Sequence, residues 1–318
     1  MKLPRIALAA ALICFAGASL AQDKTLRIVL GFPPGAALDT LSRLLAERMR
    51  PLLGQTVVVE NKPGADGIIG VETVKAAAPD GATVLITPVA NMAIFPHSRP
   101  ADLRYDPLKD FEPVSHIANF QIALALNADL PAKSVAEYIA LVKKDPKLGD
   151  HASASQGSLP HFFGVMFARA AGIEMTHIPY KGSGPALQAL AGGEIKAGVF
   201  TLPDALTIAR SGRARVVAVS GATRSTLAPE VKTFRELGYN IEGYGWYAMF
   251  APAKTPKDLV ERYARAAGEV IRSPDMKQRL EQMGLEPTGT GPAELAGILK
   301  ADYEKWGPVI RASGFKPL

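Results

Sequence analysis

Three observations predict an α/β fold of two domains. Apolar runs of about five residues alternate with helical periodicity along most of the chain. A strand–loop–helix plan built on Gly and Pro occurs twice, around residues 32 and 180. The 318 residues, 48% of them apolar, suffice for two compact cores.

The chain opens with MKLPRIALAAALICFAGASLAQ, where Lys2 and Arg5 precede an apolar run from Ile6 to Ala18. Ser19 and Ala21 then fit the −3 and −1 places of a cleavage site, so residues 1–21 read as a signal peptide and Gln22 as the first residue after export. That run is too short and weakly flanked for a transmembrane span. Ile13 before Cys14 excludes a lipobox, which needs a small residue there. Cys14 is the only cysteine, so no disulfide framework is expected after export. The formal charge of +6 is spread without a basic block, which favours anionic ligands mildly and excludes a nucleic-acid footprint.

Leu26 to Leu30 reads as a strand, and Leu38, Leu41, Leu44, Leu45, Met49, Leu52 and Leu53 recur at helical spacing before Gly54. A strand over Thr56 to Glu60, a helix around Val71 to Ala78 and a strand over Thr83 to Val89 complete a β-α-β-α-β unit with a parallel sheet. A second array starts at Gln121 to Leu126. A helix capped by Ser134 and Glu137 follows, then His151 to Ala154 (strand), Leu159 to Ala171 (helix) and Met175 to Pro179 (strand). Pro185 to Ala191 (helix), Ile195 to Phe200 (strand), a helix from Pro203 and Arg215 to Ser220 (strand) finish it. After the extended segment Tyr244 to Pro252 come three helices with no strand between them, two of them capped by Thr255 and Ser273 ahead of prolines, the last over Pro292 to Ala312. The chain is expected to cross into the second lobe near Ile117 to Gln121 and to return near Tyr244 to Pro252. Lobe one then comprises 22–118 and 250–318, and lobe two 119–249.

Both Gly-Pro loops lead from a strand into a helix. Phe32, Pro34, Gly35 and Ala36 form the first; Tyr180, Lys181, Gly182, Ser183, Pro185 and Ala186 form the second. Free amides and the positive end of the helix dipole suit such loops to a carboxylate or phosphate. Their pairing on two lobes, beyond the carboxyl ends of strands, points to a ligand clamped between them, whereas either loop alone is equally explained as turn punctuation. Ser153, Ser155, Gly157 and Ser158, before the helix that carries His161, either complete the anion site or form a polar cap. Thr87 and Asn91 follow a strand end, where Asn91 either meets ligand or closes an Asx-turn. Asp39 would repel a carboxylate, so it either caps its own helix or meets another group of the ligand; Lys181 either attracts an anion or is solvated.

The segments GFPPGAALD, ENKPGADGIIG, APDGATVLI, IPYKGSGPALQALAGGEI and WYAMFAPAKTP, in this order, resemble the Bug family of periplasmic substrate-binding proteins of tripartite tricarboxylate transport systems. The resemblance implies a two-lobed type II periplasmic-binding-protein fold that closes on a small carboxylate, a di- or tricarboxylate or an aromatic acid, and passes it to a membrane permease. It implies that the loops Phe32 to Asp39 and Tyr180 to Ala186 grip a carboxylate through main-chain amides and bridging water, with Ser153 to Ser158 and Thr87 to Asn91 lining the rest. It also implies a periplasmic monomer without metal or cofactor. Three positions depart from the family pattern: Ala36 and Ser155 where glycine is usual, and Phe200 where an acid is common, a change that makes the pocket more apolar if Phe200 faces it.

Other classes are weaker. Ser153 to Gly157 falls one residue short of a nucleophile elbow, so a serine hydrolase using Ser155 is disfavoured. His97, His116, His151, His161 and His177 lack metal-ligand spacing, and Gly182-Ser183-Gly184 lacks the third glycine of a dinucleotide fingerprint. A sensor that presents its closed form to a signalling membrane protein shares every feature of a transport receptor.

Overall fold

The computed structural model describes residues 25–35 and 37–316. The expected leader and the loop residue Ala36 lie outside the described residues. In the first array β1 (Leu26–Leu30) pairs in parallel with β2 (Val57–Asn61) on one side and β3 (Thr83–Pro88) on the other. The crossover helices are α1 (Ala37–Leu53) and α2 (Ile68–Lys75). The stripe Leu38, Leu41, Leu45, Met49 and Leu53 of α1 is buried as its spacing requires. Helix α2 starts earlier than the sequence suggests, because a left-handed turn ending at Gly67 (φ 95°) delivers the chain to Ile68, and Ile68, Val71 and Val74 then share the buried face.

After the short helix α3 (Phe95–Ser98), the 17-residue strand β4 (Phe111–Asn127) connects the two arrays by changing partners along its length. From Phe111 to Gln121 it pairs antiparallel with β9 (Tyr244–Pro252), which in turn pairs with β3. From Ile122 onward it pairs with β7 (Ala197–Thr201) and β8 (Ala214–Val219). The change is stitched by two side chains: Ser220 Oγ accepts from the Ile122 amide (2.9 Å) and donates to the Gly243 carbonyl (2.6 Å), and Gln121 Oε1 accepts from the Gly221 amide (3.1 Å). The second array is completed by β5 (His151–Ser153) between β7 and β6 (His177–Pro179), all parallel. Its helices are α4 (Val135–Lys144), α5 (Leu159–Ala171), α6 (Ser183–Ala191) and α7 (Leu202–Arg210). The result is two α/β lobes joined through a continuous curled sheet.

The C-terminal part departs from expectation. Between α9 (Pro274–Gln282) and α10 (Pro292–Ala312) lies a strand, β10 (Leu285–Thr290), antiparallel to β4. Pro287, Gly289 and a register break make its sequence look like a loop, and a proline is tolerated there because β10 is an edge. The expected caps also differ. Pro256 occupies the cap position of α8 (Lys257–Arg272) while Thr255 Oγ1 donates to the Pro252 carbonyl (2.8 Å). Ser273 sits at the cap of α9, but its hydroxyl donates to the Val270 carbonyl (2.7 Å). The Ser134 cap of α4 does form: its Oγ accepts from the Glu137 amide (3.2 Å), while the Glu137 carboxylate accepts from Lys133, one residue earlier than a standard capping box. Helix α8 packs on α1, β4 and β10, with Tyr263 OH donating to the Gly81 carbonyl (2.7 Å). Among the described residues no helix is long and apolar enough to cross a membrane.

Candidate functional site

A cleft of about 1010 Å³ opens between the lobes, floored by Phe120 of β4 and Tyr247 of β9. The turn after β1 forms its first wall. Gly31 packs so closely on Gly67 that a Cβ would lie 2.3 Å from the Gly67 carbonyl oxygen, and Phe32, Pro33 and Pro34 then face the cleft with Ala37 and Leu38 of α1. Asp39 sits behind this loop, 4% exposed, with its acceptor sites engaged. Its carboxylate accepts from the Gly35 amide (3.0 Å), Asn61 Nδ2 (2.9 Å) and Arg43 Nε (2.9 Å), and Asn61 also donates to the Phe32 carbonyl (3.0 Å). Burial alone would raise its pKa, but the bonds from Arg43, Gly35 and Asn61 prevail and hold the carboxyl below the usual range. Asp39 therefore fastens the loop from behind and does not line the cleft; neither does Gly35, whose amide it occupies.

The second wall is the turn after β6. Tyr180, Lys181, Gly182, Ser183 and Pro185 line the cleft, while Ala186 is fully buried beneath them. The Gly182 amide donates to the Ala154 carbonyl (2.8 Å) and so serves the loop itself. Helix α6 begins at Ser183, and Pro185 has no amide hydrogen, so the amides opening this helix are those of Ser183 and Gly184.

Ser155 and Ser158 reach the cleft, together with Ala154 and Gln156; Ser153, Gly157 and His161 hold the loop from below. Gly157 donates its amide to His161 Nδ1 (3.0 Å), which puts the His161 proton on Nε2. Ser98 Oγ of lobe one donates to the Gly157 carbonyl (3.0 Å), a bond across the lobes. Ser153 Oγ donates to the Ser155 carbonyl (3.1 Å) and lies 2.7 Å from His177 Nε2, so both groups brace the loop from beneath the cleft. No three His, Cys, Asp or Glu side chains converge as a metal site among the described residues.

Beneath this loop His151, His161 and His177 cluster, with the His161 and His177 rings stacked at 3.9 Å. Burial drives His161 down to about 4, and burial plus the neighbouring His161 drives His151 to about 3 and His177 to about 2. The unfolded chain titrates near pH 6.5, so below that pH it binds protons the folded chain refuses, and stability falls as pH drops from about 6.5 toward 4. The expected slope is about 1.4 kcal/mol per pH unit for each fully excluded imidazole. Urea titrations from pH 7.5 to 4.5 measure it. Replacing His151, both of whose ring nitrogens are buried and without a hydrogen-bond partner among the described residues, by Phe should lower the slope by about 1.4 kcal/mol per pH unit; an unchanged slope would contradict this account.

Thr87 and Asn91 are buried and do not line the cleft. Asn91 forms no Asx-turn: its Nδ2 donates to the Asp66 carbonyl (3.1 Å) and its Oδ1 accepts from Thr87 Oγ1 (3.1 Å), which holds it behind the cleft wall. The loop it holds, Pro63 to Gly67, is a wall that sequence reasoning did not assign. Ala65 (φ 48°) and Asp66 (φ 54°) are non-glycine residues in the left-handed region, a strained geometry kept in place by Asn91 and by the ion pair of Asp66 with Arg99. Arg99 also lines the cleft, with Nε on Asp102 (2.8 Å) and its guanidinium 5.1 Å above the Phe95 ring. The Pro-Gly pair in KPGADG was the available signal for this loop; nothing local marks Arg99. Phe200 does not face the cleft. It is 1% exposed, its ring packed where a side chain on Gly198 would stand, and the acid on that wall is Asp204.

The family described as "Tripartite tricarboxylate transporter family receptor" (TctC) matches residues 41–315. Protein BugT of Bordetella pertussis is 32% identical, over 92% of this chain and 90% of its own length. Among solved structures, a periplasmic transporter is 36% identical with a TM-score of 0.86, over 93% of this chain and 99% of that one. The R. palustris protein Rpa4515, solved with adipate, is 29% identical with a TM-score of 0.87, over 92% and 98%.

Proposed function

Since this chain belongs to the tripartite tricarboxylate transporter receptor family, solute-binding receptors of the periplasm rather than enzymes, we propose that it captures a small carboxylate between its lobes and delivers it to a membrane permease. The observation that carries the ligand class is the convergence of two helix N-termini, α1 behind the Phe32–Pro34 turn and α6 behind Gly182, on one cleft. The ligand's carboxylate bridges these turns and Ser155 contributes a hydroxyl from the roof, while Ser158 Oγ, donating to the Ser155 carbonyl (2.8 Å), holds that residue in place. Lys181 raises the local potential for anions. Rpa4515 with adipate shows that a relative of this shape holds a dicarboxylate, which supports the same class here. The lobes divide at 118/119 and 249/250 and rotate about the β4–β9 crossing, residues 1–21 direct export, and the protein works as a monomer.

A thermal-shift panel of mono-, di- and tricarboxylates and aromatic acids tests this reading. A ligand at a hundred times its dissociation constant should stabilise the fold by about 2.7 kcal/mol. Shifts with neutral sugars or metal ions and with no carboxylate would refute it.

A further inference from the structure

Among the lining residues of lobe two, Asp204 is the one acid, and it has no cation for a partner among the described residues. Its carboxylate accepts from Ser183 Oγ (2.7 Å), and its own amide donates to Thr201 Oγ1 (3.4 Å) at the start of α7. The bland role is a capping acid in the first turn of a helix. A carboxylate, however, has about four acceptor sites, and hydroxyls of Ser183 and Thr201 serve only part of them. Burial pushes this carboxyl up, as expected for a charge left without an opposite charge.

Ser183 ties this acid to the anion site. Its amide is the first of α6 and its side chain holds Asp204, so a carboxylate captured on the α6 amides lies within one side chain of a second carboxylate. Two anions that close repel unless a donor stands between them. Resting on the carboxylate-capture reading above, we propose that Asp204 is a specificity residue that reads the carbon next to the captured carboxylate and selects ligands with a hydroxyl or an ammonium on it. A ligand with only hydrogens there leaves the acid facing the bound anion; a C2 donor turns that repulsion into a charge-assisted hydrogen bond.

Two matched series test this by calorimetry and thermal shift: succinate, malate and aspartate, and phenylacetate, mandelate and phenylglycine. The wild-type protein should bind a C2-substituted member of at least one series about tenfold more tightly than the unsubstituted acid. Asp204→Ala should abolish that preference, so that the members of each series bind alike. Asp204→Asn, which keeps the shape and a carbonyl acceptor, should retain a hydroxyl preference and lose an ammonium preference, an outcome a merely structural role would not produce. Equal binding within each series by the wild type, an unchanged preference in Asp204→Ala, or a uniform loss of all ligands would overturn the proposal and leave carboxylate capture standing. If none of the six acids nor any longer carboxylate binds, it is the capture reading itself that fails.

Discussion

Asp39→Ala should lower stability by about 2 kcal/mol and weaken ligand binding by more than that loss alone explains. The substitution removes the carboxylate that accepts from the Gly35 amide and Asn61 Nδ2, and hydrogen bonds to a charged acceptor are worth about 1.5–3 kcal/mol, here toward the low end because Gly35 is exposed and Asn61 half-buried. The Arg43 pair adds little, because Arg43 is half exposed and its attraction is screened. The effect on binding is larger because these bonds hold the carbonyl of Phe32, through Asn61, and the amide of Gly35, and hence the aim of the whole first wall. The carboxyl's depressed pKa sets the pH dependence: its contribution is complete above about pH 4 and is lost as pH falls through its folded-state value. Denaturant midpoints for wild type and Asp39→Ala, compared at pH 7 and pH 3, should differ at the first and converge toward the second. Asp39→Asn should recover part of the stability, since one amide oxygen still accepts. A variant that binds as tightly as wild type would mean that the wall does not need this anchor.

Gly182→Pro should weaken binding by at least about a hundredfold. Gly182 sits at φ 101°, ψ 167°, a region open essentially to glycine alone, and proline requires φ near −65°. Proline also removes the amide that bonds the Ala154 carbonyl, so the turn is released from the serine loop beneath it. Gly182→Ala isolates the backbone contribution: a Cβ there would meet no atom within 4 Å, so any loss reports conformational strain of about 1–3 kcal/mol and not a clash. Because the turn lies at the cleft edge, away from the buried cores, melting temperature should fall by less than affinity does. Titration of a carboxylate that stabilises the wild type gives the comparison; equal binding by the proline variant would remove this turn from the site.

The strands and helices were readable wherever one residue pattern decided the matter. The periodic leucines of α1 and the long run of α10, which carries on through Pro308, both read as helices from their spacing alone. β10 was hidden because Pro287 and Gly289 contradict a strand locally; its pairing with β4, some 170 residues away, supplies what the local sequence lacks. The cleft's two main turns were legible from their Gly and Pro, whose backbone preferences are local properties. What lies in front of a turn and what lies behind it was not. Asp39, Asn91, Gly157 and Ser153 occur in the same short segments as the cleft-lining Phe32, Ser155 and Ser158, and only the packing of neighbouring elements turns them inward to brace the walls.

The sequence alone determined the α/β class, the two strand–turn–helix loops and the family pattern. Each of these depends on the order and spacing of residues along one stretch of chain. Tertiary structure alone decided that Phe200 is core, that Asp204 and Arg99 are cleft, and that the left-handed Ala65–Asp66 turn completes the wall. Those outcomes depend on distances between segments up to about 170 residues apart, as Phe32 and Asp204 of the one cleft are, and side-chain direction in a packed interior is set by the neighbours that chain closure brings together.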